Sequence, residues 1–414
     1  MSGSVGAGMT TAVFVAPYFL PTTVRFIEAV ADLAGVRLGL VSQDPEGKLP
    51  PGVRGKIGAH WQVRDALDVD QIVEAARCLS EHLGPIDRLV GTLEELQVPL
   101  GAARERLGIE GMDEATAWNF RDKARMKTVL REAGVPCARH RLAATAAEAR
   151  AFAAEVGYPL VLKPPAGAGA RSTFRVDDDR ALAEALGVAP PRPGRRVLLE
   201  EFVTGEEHSF DSVWSGGRML WHSLTRYLPG PLDVLRNPWI QWCVLLPREV
   251  DDPRYDDIRS VADRALRTLG IGTGLCHMEW FRRRDGSVAV SEVGARPPGA
   301  QITSLISWAH DFDLYRAWAR LMISGTFEAP ERRYAAGIAY FRGQGEGRVR
   351  SIHGLDQAQR EMGELVVEVA LPRPGQAPAS GYEGEGFAIL RHPETSVVEV
   401  ALARLVRLVR VELA

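Results

Sequence analysis

The alternation of apolar and polar positions divides the chain into three stretches. Ala12-Val13-Phe14-Val15-Ala16-Pro17 is an unbroken apolar run, the mark of a strand buried on both faces. Thr23 to Leu33 carries its apolar residues at helical spacing, and Val36 to Val41 reads as a second strand. Ile72 to Leu83 is again helical, and Arg88 to Gly91 is a short strand ahead of Glu94 and Glu95. Strands alternating with helices predict a parallel sheet covered by helices over residues 10–115.

A second stretch, residues 116–334, opens with a predicted helix over Asp122 to Ala133, ended by Gly134 and Pro136. Thr145 to Val156 is a second helix with Gly157 as its C-terminal cap. Tyr158 to Lys163, Thr173 to Val176 and Arg196 to Phe202 read as strands, with a helix at Asp179 to Leu186. From residue 335 the pattern shifts to short strands and turns with one helix near Ser396 to Val406, a small terminal α+β unit over residues 335–414. The fold class expected is therefore α/β and α+β.

One hairpin stands out. Cys276 to Phe281 and Val288 to Val293 are β-rich runs around Asp285-Gly286, a strong two-residue turn signal. With the turn there, Arg284 faces Ser287, Trp280 faces Ser291, and Glu279 falls opposite Glu292. Opposed Cβ atoms lie about 4.5–5.5 Å apart, and like charges there repel. A divalent cation between them relieves the repulsion, and oxygen ligands completed by a substrate phosphate suit Mg²⁺. A different turn would leave both glutamates solvated, and on the hairpin alone both readings stand. His277 shares the face of Glu279 by the period of two, where it either packs or reaches a substrate.

Composition narrows the function. The chain has 414 residues, 46% hydrophobic and 25% charged, with a net charge of −3. Near-neutral charge speaks against a nucleic acid or an anionic membrane as the main partner. Cys78, Cys137, Cys243 and Cys276 are scattered without metal or disulfide spacing. No basic leader precedes the first apolar run, and no run approaches a membrane span, so a reducing cytoplasm is the expected setting. Of 50 basic residues only Lys48, Lys56, Lys123, Lys127 and Lys163 are lysine, so a retained lysine is a weak pointer to a needed point charge.

Lys163 ends its strand one step before Pro164-Pro165-Ala166-Gly167-Ala168-Gly169-Ala170-Arg171-Ser172. Small residues let backbone N–H groups close on an anion, and the lysine adds charge to the same phosphates. The loop is neither a Walker A motif, which needs Gly-Lys-Ser/Thr, nor a dinucleotide fingerprint, which needs GxGxxG before a helix. Further on, Leu198-Leu199-Glu200-Glu201-Phe202-Val203 followed by Gly205-Glu206-Glu207 could hold an adenine edge and ribose hydroxyls.

Lys123, Lys163 with its loop, Glu200 to Glu207, and Glu279 with Glu292 together resemble, in that order, the ATP-grasp superfamily of carboxylate-activating ligases. The resemblance spans roughly residues 10–414 and extends to the amino-acid ligase and biotin carboxylase-like members. It implies a preceding α/β domain, a split nucleotide-binding core of two α+β lobes, and a small C-terminal domain. It assigns Lys123 and Lys163 to the phosphates, and Gly167, Gly169 and Ser172 to the closing loop. Glu200, Glu201 and Val203 become the adenine hinge, and Glu207 the ribose acid. Glu279 and Glu292 become ligands of Mg²⁺ or Mn²⁺, and Arg296 the arginine that steadies an acyl phosphate or substrate carboxylate.

One position departs from the family pattern Glu-x-Asn-x-Arg: Gly294 stands where an asparagine would bind a second metal. The resemblance implies ATP, Mg²⁺, small-molecule carboxylate and amine substrates, no nucleic acid or membrane partner, and a homodimer. The activity implied is ADP-forming ligation of an amino acid or small peptide. The alternatives are a carboxylase or purine-type ligase using bicarbonate or formate, and a nucleotide-binding protein without turnover. Arg226 to Trp242, rich in proline and tryptophan, is expected to cover the substrate pocket.

The contrast between two rare lysines gives a first test. Lys163→Ala should weaken ATP binding and slow phosphoryl transfer, while Lys56→Ala should do neither, measured by nucleotide titration and single-turnover kinetics.

Overall fold

A computed structural model describes residues 9–165, 173–192, 194–237, 240–379 and 381–414. The first strand, Thr10–Val15, pairs in parallel with both Val36–Ser42 and Arg88–Val90, and Ala59–Gln62 extends the sheet on one edge. Helices Pro21–Ala31 and Val69–Leu83 cover it. Phe14 and Phe26 pack on one side of this sheet and Val13, Ile72 and Leu79 on the other, so both faces are buried, as the unbroken apolar run requires.

Two antiparallel sheets follow. The smaller has the order His140–Ala143, Val197–Glu201, Leu160–Lys163, Phe174–Val176. The larger has eight strands, running from Val288–Gly294 at one edge, through Gly274–Arg283, Gly205–Ser215, Arg218–Leu228 and Trp242–Leu246, to Ala335–Phe341, Gly386–His392 and Val366–Ala370. Ala335–Phe341, Gly386–His392 and Val366–Ala370 thus continue the sheet of the preceding stretch across residue 334, while Gly343–Gly345, Arg410–Leu413 and Val349–His353 form a separate three-stranded sheet. That last stretch also holds two helices, Leu355–Met362 and Thr395–Leu408, where the periodicity suggested one.

Helix Lys123–Glu132 lies between the two sheets. Asp122 caps it, its Oδ1 accepting from the Ala124 and Arg125 N–H groups at 2.9 Å each. Ahead of it, helix Gln97–Leu107 crosses the start of helix Glu114–Arg121 at Gly101. A Cβ at Gly101 would stand 2.7 Å from the backbone of Asp113 and Glu114, which cannot yield as a side chain would. This contact ties the N-terminal sheet to the helices that carry Arg121 and Lys123.

Alanine is the better helix former by about 1 kcal/mol, but forcing atoms into a packed interface costs about 1–3 kcal/mol. Gly101→Ala should therefore lower the unfolding free energy, read from denaturant melts, rather than raise it.

Candidate active site

The expected hairpin forms, with two departures. Arg283 N–H donates to Ser287 O at 2.8 Å and Gly286 N–H to Arg283 O at 3.0 Å. The loop is thus three residues long, closed by Gly286 at φ +84°, and Arg284 does not face Ser287. A bulge then leaves Ser291 unpaired, so Trp280 faces Val290 and not Ser291. The two offsets cancel, and Glu279 stands opposite Glu292. The outer edge of this hairpin is covered by the segment after helix Lys123–Glu132, with Val290 N–H donating to Pro136 O at 2.8 Å.

Both glutamates face a cleft of about 690 Å³ between the two antiparallel sheets. Lys123 and Lys163, Glu200, Glu201, Val203, Glu207 and Arg296 line the same cleft. Gly167, Gly169 and Ser172 lie outside the described residues. The Lys123 ammonium lies 2.7 Å from Glu292 Oε1, and its backbone N–H donates to Pro165 O at 2.8 Å. Lys163 Nζ lies 3.0 Å from Glu200 Oε2. Glu200 is buried, and its side chain turns to the lysines. Glu201 sits at the rim, where Arg139 and Arg283 pair with it at 2.6 and 3.1 Å.

Burial opposes charge on Glu292, Lys163 and Glu207, and the neighbours decide the outcome. Burial pushes the Glu292 carboxyl up, but Lys123 and Lys163 outweigh it and hold it at about 2. Burial likewise pushes the Lys163 ammonium down, while Glu200 and Glu292 hold it above the ordinary lysine range. Glu207 lacks such relief: burial, then Glu279 and Asp233, push its carboxyl well above the ordinary value. On that side of the cleft the carboxylates crowd one another, and Lys163 offsets the crowding at Glu207 only in part.

Among the described residues no cluster of three or more His, Cys, Asp or Glu side chains could by itself hold a metal. Two opposed carboxylates beside an acid pushed toward protonation form a hard-oxygen donor set that a cation would relieve, and they fit Mg²⁺ with phosphate oxygens as further ligands. Gly294 also lines the cleft; a Cβ there would make ordinary contact with Arg296 at 3.6 Å, so the position has room for a side chain.

Several residues of the site belong to no motif in the sequence. Glu94, from the turn after Arg88–Val90, reaches into the cleft and pairs with Arg296 at 3.0 Å and with Arg121 at 3.2 Å. Lys127, buried one turn after Lys123, donates to Ser291 O at 2.7 Å and approaches Glu200 at 3.5 Å. Tyr382 comes from the C-terminal stretch. Its scarcity marked Lys127, but no motif gave it a place. Arg226 to Asp233, with Trp242, line the cleft. After Arg296, Ala300 and Gln301 both adopt left-handed backbone, at φ +51° and +55°. That conformation costs a non-glycine residue about 1–2 kcal/mol and here turns the loop into helix Ile302–His310.

A model of the ATP-grasp domain matches residues 128–307, a span that holds Lys163, Glu200, Glu207, Glu279, Glu292 and Arg296. The chain carries an ATP-grasp domain. An uncharacterized protein, y4rH of Sinorhizobium fredii, is 31% identical over 288 residues, covering 68% of this chain and 58% of that one. The L-arginine-specific L-amino acid ligase of Bacillus subtilis is 26% identical over 269 residues, 63% of this chain and 64% of that one. The chain therefore spans less than two thirds of either relative's length. The crystal structure of an L-amino acid ligase from Bacillus licheniformis matches with a TM-score of 0.77 at 19% identity, over 98% of this chain and 99% of that one, which shows a shared fold. Among the described residues no helix is long and apolar enough to cross a membrane.

On the far face of the ATP-grasp domain's hairpin, His208 stacks on Trp280 at 4.5 Å. Burial, with Arg226 and Arg282, pushes its imidazole down to about 4. The unfolded chain therefore takes up this proton first. Its contribution to stability is whole above pH about 6.5 and is lost as pH falls toward about 4, by up to roughly 3 kcal/mol. Denaturant midpoints measured between pH 7 and 4 should fall, and His208→Gln should flatten that slope.

Proposed function

We propose that this protein is an ADP-forming ligase that joins a carboxylate to an amine, with an amino acid or small peptide as the acid. The arrangement that carries the reading is the meeting of Lys123, Lys163, the Glu279–Glu292 pair and Arg296 around one cleft. One named relative, the L-arginine-specific L-amino acid ligase of Bacillus subtilis, supports the substrate class. Lys123 and Lys163 bind the phosphates, and Gly167, Gly169 and Ser172 belong to the same phosphate site by the family resemblance. Glu200, Glu201 and Val203 flank the base, and Glu207 accepts from the ribose.

The chemistry is one phosphoryl transfer followed by one acyl transfer. A carboxylate oxygen of the acid attacks the γ-phosphorus of ATP, and the bond to the bridging oxygen of ADP breaks. The amine nitrogen then attacks the acyl carbon, inorganic phosphate leaves, and the nitrogen gives up a proton as the amide forms. The protein supplies position and countercharge, and no side chain need act as a nucleophile. Arg296, held by Glu94, steadies the acid's oxygens. Glu279 and Glu292 would hold Mg²⁺, or Mn²⁺ through the same oxygens, and such an ion neutralises phosphate charge when bound. The cytoplasm, where ATP and Mg²⁺ occur together, and the homodimer implied by the family are part of the same reading.

Mixing the protein with ATP, Mg²⁺ and a pool of amino acids should release ADP and phosphate in step with a new amide. Release of ADP only when bicarbonate is added would overturn the amino-acid reading, and ATP bound without ADP under every mixture would overturn turnover itself. Glu292→Gln should slow ADP release about 100-fold or more, since each tenfold corresponds to about 1.4 kcal/mol and a metal's charge stabilisation is several. Its melting temperature should fall, because Lys123 loses the carboxylate it meets at 2.7 Å, so turnover is compared at a temperature where both proteins remain folded.

A further inference from the structure

Behind the cleft, one face of the large sheet carries a polar group that the reaction above does not use. Asp211, at the centre of strand Gly205–Ser215, is fully buried. Its Oδ2 accepts from Ser209 Oγ at 2.8 Å and from Thr225 Oγ1 at 3.4 Å. Its Oδ1 lies 2.7 Å from His277 Nδ1, across the ladder in which Asp211 and His277 are register partners. The carboxylate is thus gripped from three adjacent strands, and one grip is an imidazole.

The other end of that imidazole faces the cleft. His277 Nε2 lies 3.7 Å from Glu279 Oε1 and 3.5 Å from the Tyr227 hydroxyl. With Nδ1 pinned, the ring plane and the direction of Nε2 are fixed. The pattern is carboxylate, imidazole, carboxylate, running from a sealed interior to one of the two opposed acids.

Asp211 also adds countercharge to Arg332, which donates to Ser223 at 2.9 Å, but its own hydrogen bonds run to Ser209, Thr225 and His277. Val213 and Leu275, on the same face, are apolar and fully packed. Removing a carboxylate from water costs several kcal/mol unless it is paired, and an apolar residue of like volume is often neutral or better. What the charge supplies is orientation of the side chain in front of it. Outer groups that orient ligand side chains typically matter 10–100-fold for metal affinity or activity.

We propose that Asp211 is a positioning residue: through His277 it fixes the Glu279 carboxylate in the geometry that binds the divalent cation. The role of Glu279 in this statement rests on the ligase reading.

The test is a double-mutant cycle with two readouts. Wild type, Asp211→Asn, His277→Gln and the double variant are titrated with Mn²⁺ in the presence of ADP, followed by electron paramagnetic resonance, and assayed for ADP release. Asp211→Asn should weaken Mn²⁺ binding about 10-fold and slow turnover 10–100-fold, with ADP affinity in the absence of metal changed less than twofold. In the His277→Gln background the same substitution should change either readout less than twofold. An equal loss in both backgrounds overturns the proposal, because Asp211 would then act by folding or by bulk charge. So would unchanged Mn²⁺ affinity in Asp211→Asn.

If wild type binds Mn²⁺·ADP but turns over no acid and amine, the ligase reading fails and the Mn²⁺ cycle still decides on Asp211. If Asp211→Asn does not fold, Ser209→Ala takes its place. It removes the hydroxyl that grips Asp211, and should weaken Mn²⁺ binding a few-fold only while His277 is present. No loss, or the same loss without His277, overturns the proposal.

Discussion

The cleft depends on one helix that is held by its own lysines to both antiparallel sheets. Lys123 and Lys127, one turn apart on helix Lys123–Glu132, reach opposite walls: Lys123 to Glu292 of the large sheet, Lys127 to Glu200 of the small one and to the Ser291 carbonyl of the large one. Lys163 closes the small-sheet side on Glu200. Each ion is expensive to bury alone. The lattice is stable because each carboxylate meets a cation at or near hydrogen-bond distance, and the same requirement fixes the width of the cleft. Binding of a polyphosphate would add anionic oxygens where the lysines already converge, with little rearrangement needed beforehand.

The sheets contribute rigidity in proportion to need. The residues that must face each other, Glu279 and Glu292, sit on paired strands at one edge of an eight-stranded ladder. His277 and Asp211, which orient Glu279, follow on the same strand and the next. Glu94 and Tyr382 arrive from either side, out of the N-terminal parallel sheet and the C-terminal stretch. Arg296 is therefore set by residues far apart in the chain, which no local reading of its own loop could reveal.

Much of the fold was legible because periodicity reports burial directly. The parallel N-terminal sheet, helix Lys123–Glu132 and strand Leu160–Lys163 each follow from apolar spacing and caps. The opposed glutamates were legible for a subtler reason. Asp-Gly was read as a two-residue turn, which misses the third loop residue, and the Ser291 bulge that compensates leaves no trace in the sequence. Lys127, Asp211 and Glu94 were not legible as site residues, because a single charged residue on a regular element looks solvated until its partners are known. Lys123 carried one unread cue: a cation at the first position of a helix opposes the helix dipole, a cost of about 0.3–1 kcal/mol that Glu292 offsets.

The bulge at Ser291 separates the hairpin into two phases. Outward of it the strands follow the register set by the loop; inward they follow a register one residue different, anchored where Lys127 takes the carbonyl that the ladder leaves over. A change of one residue between Arg284 and Gly286 shifts the outer register, and Glu292 keeps its partner only if the bulge changes with it. Loss of residue 291 itself would straighten the strand and leave Val290 opposite Trp280 and Glu292 opposite Glu279. What it would remove is the carbonyl that accepts from Lys127, and with it one tie between the hairpin and the helix.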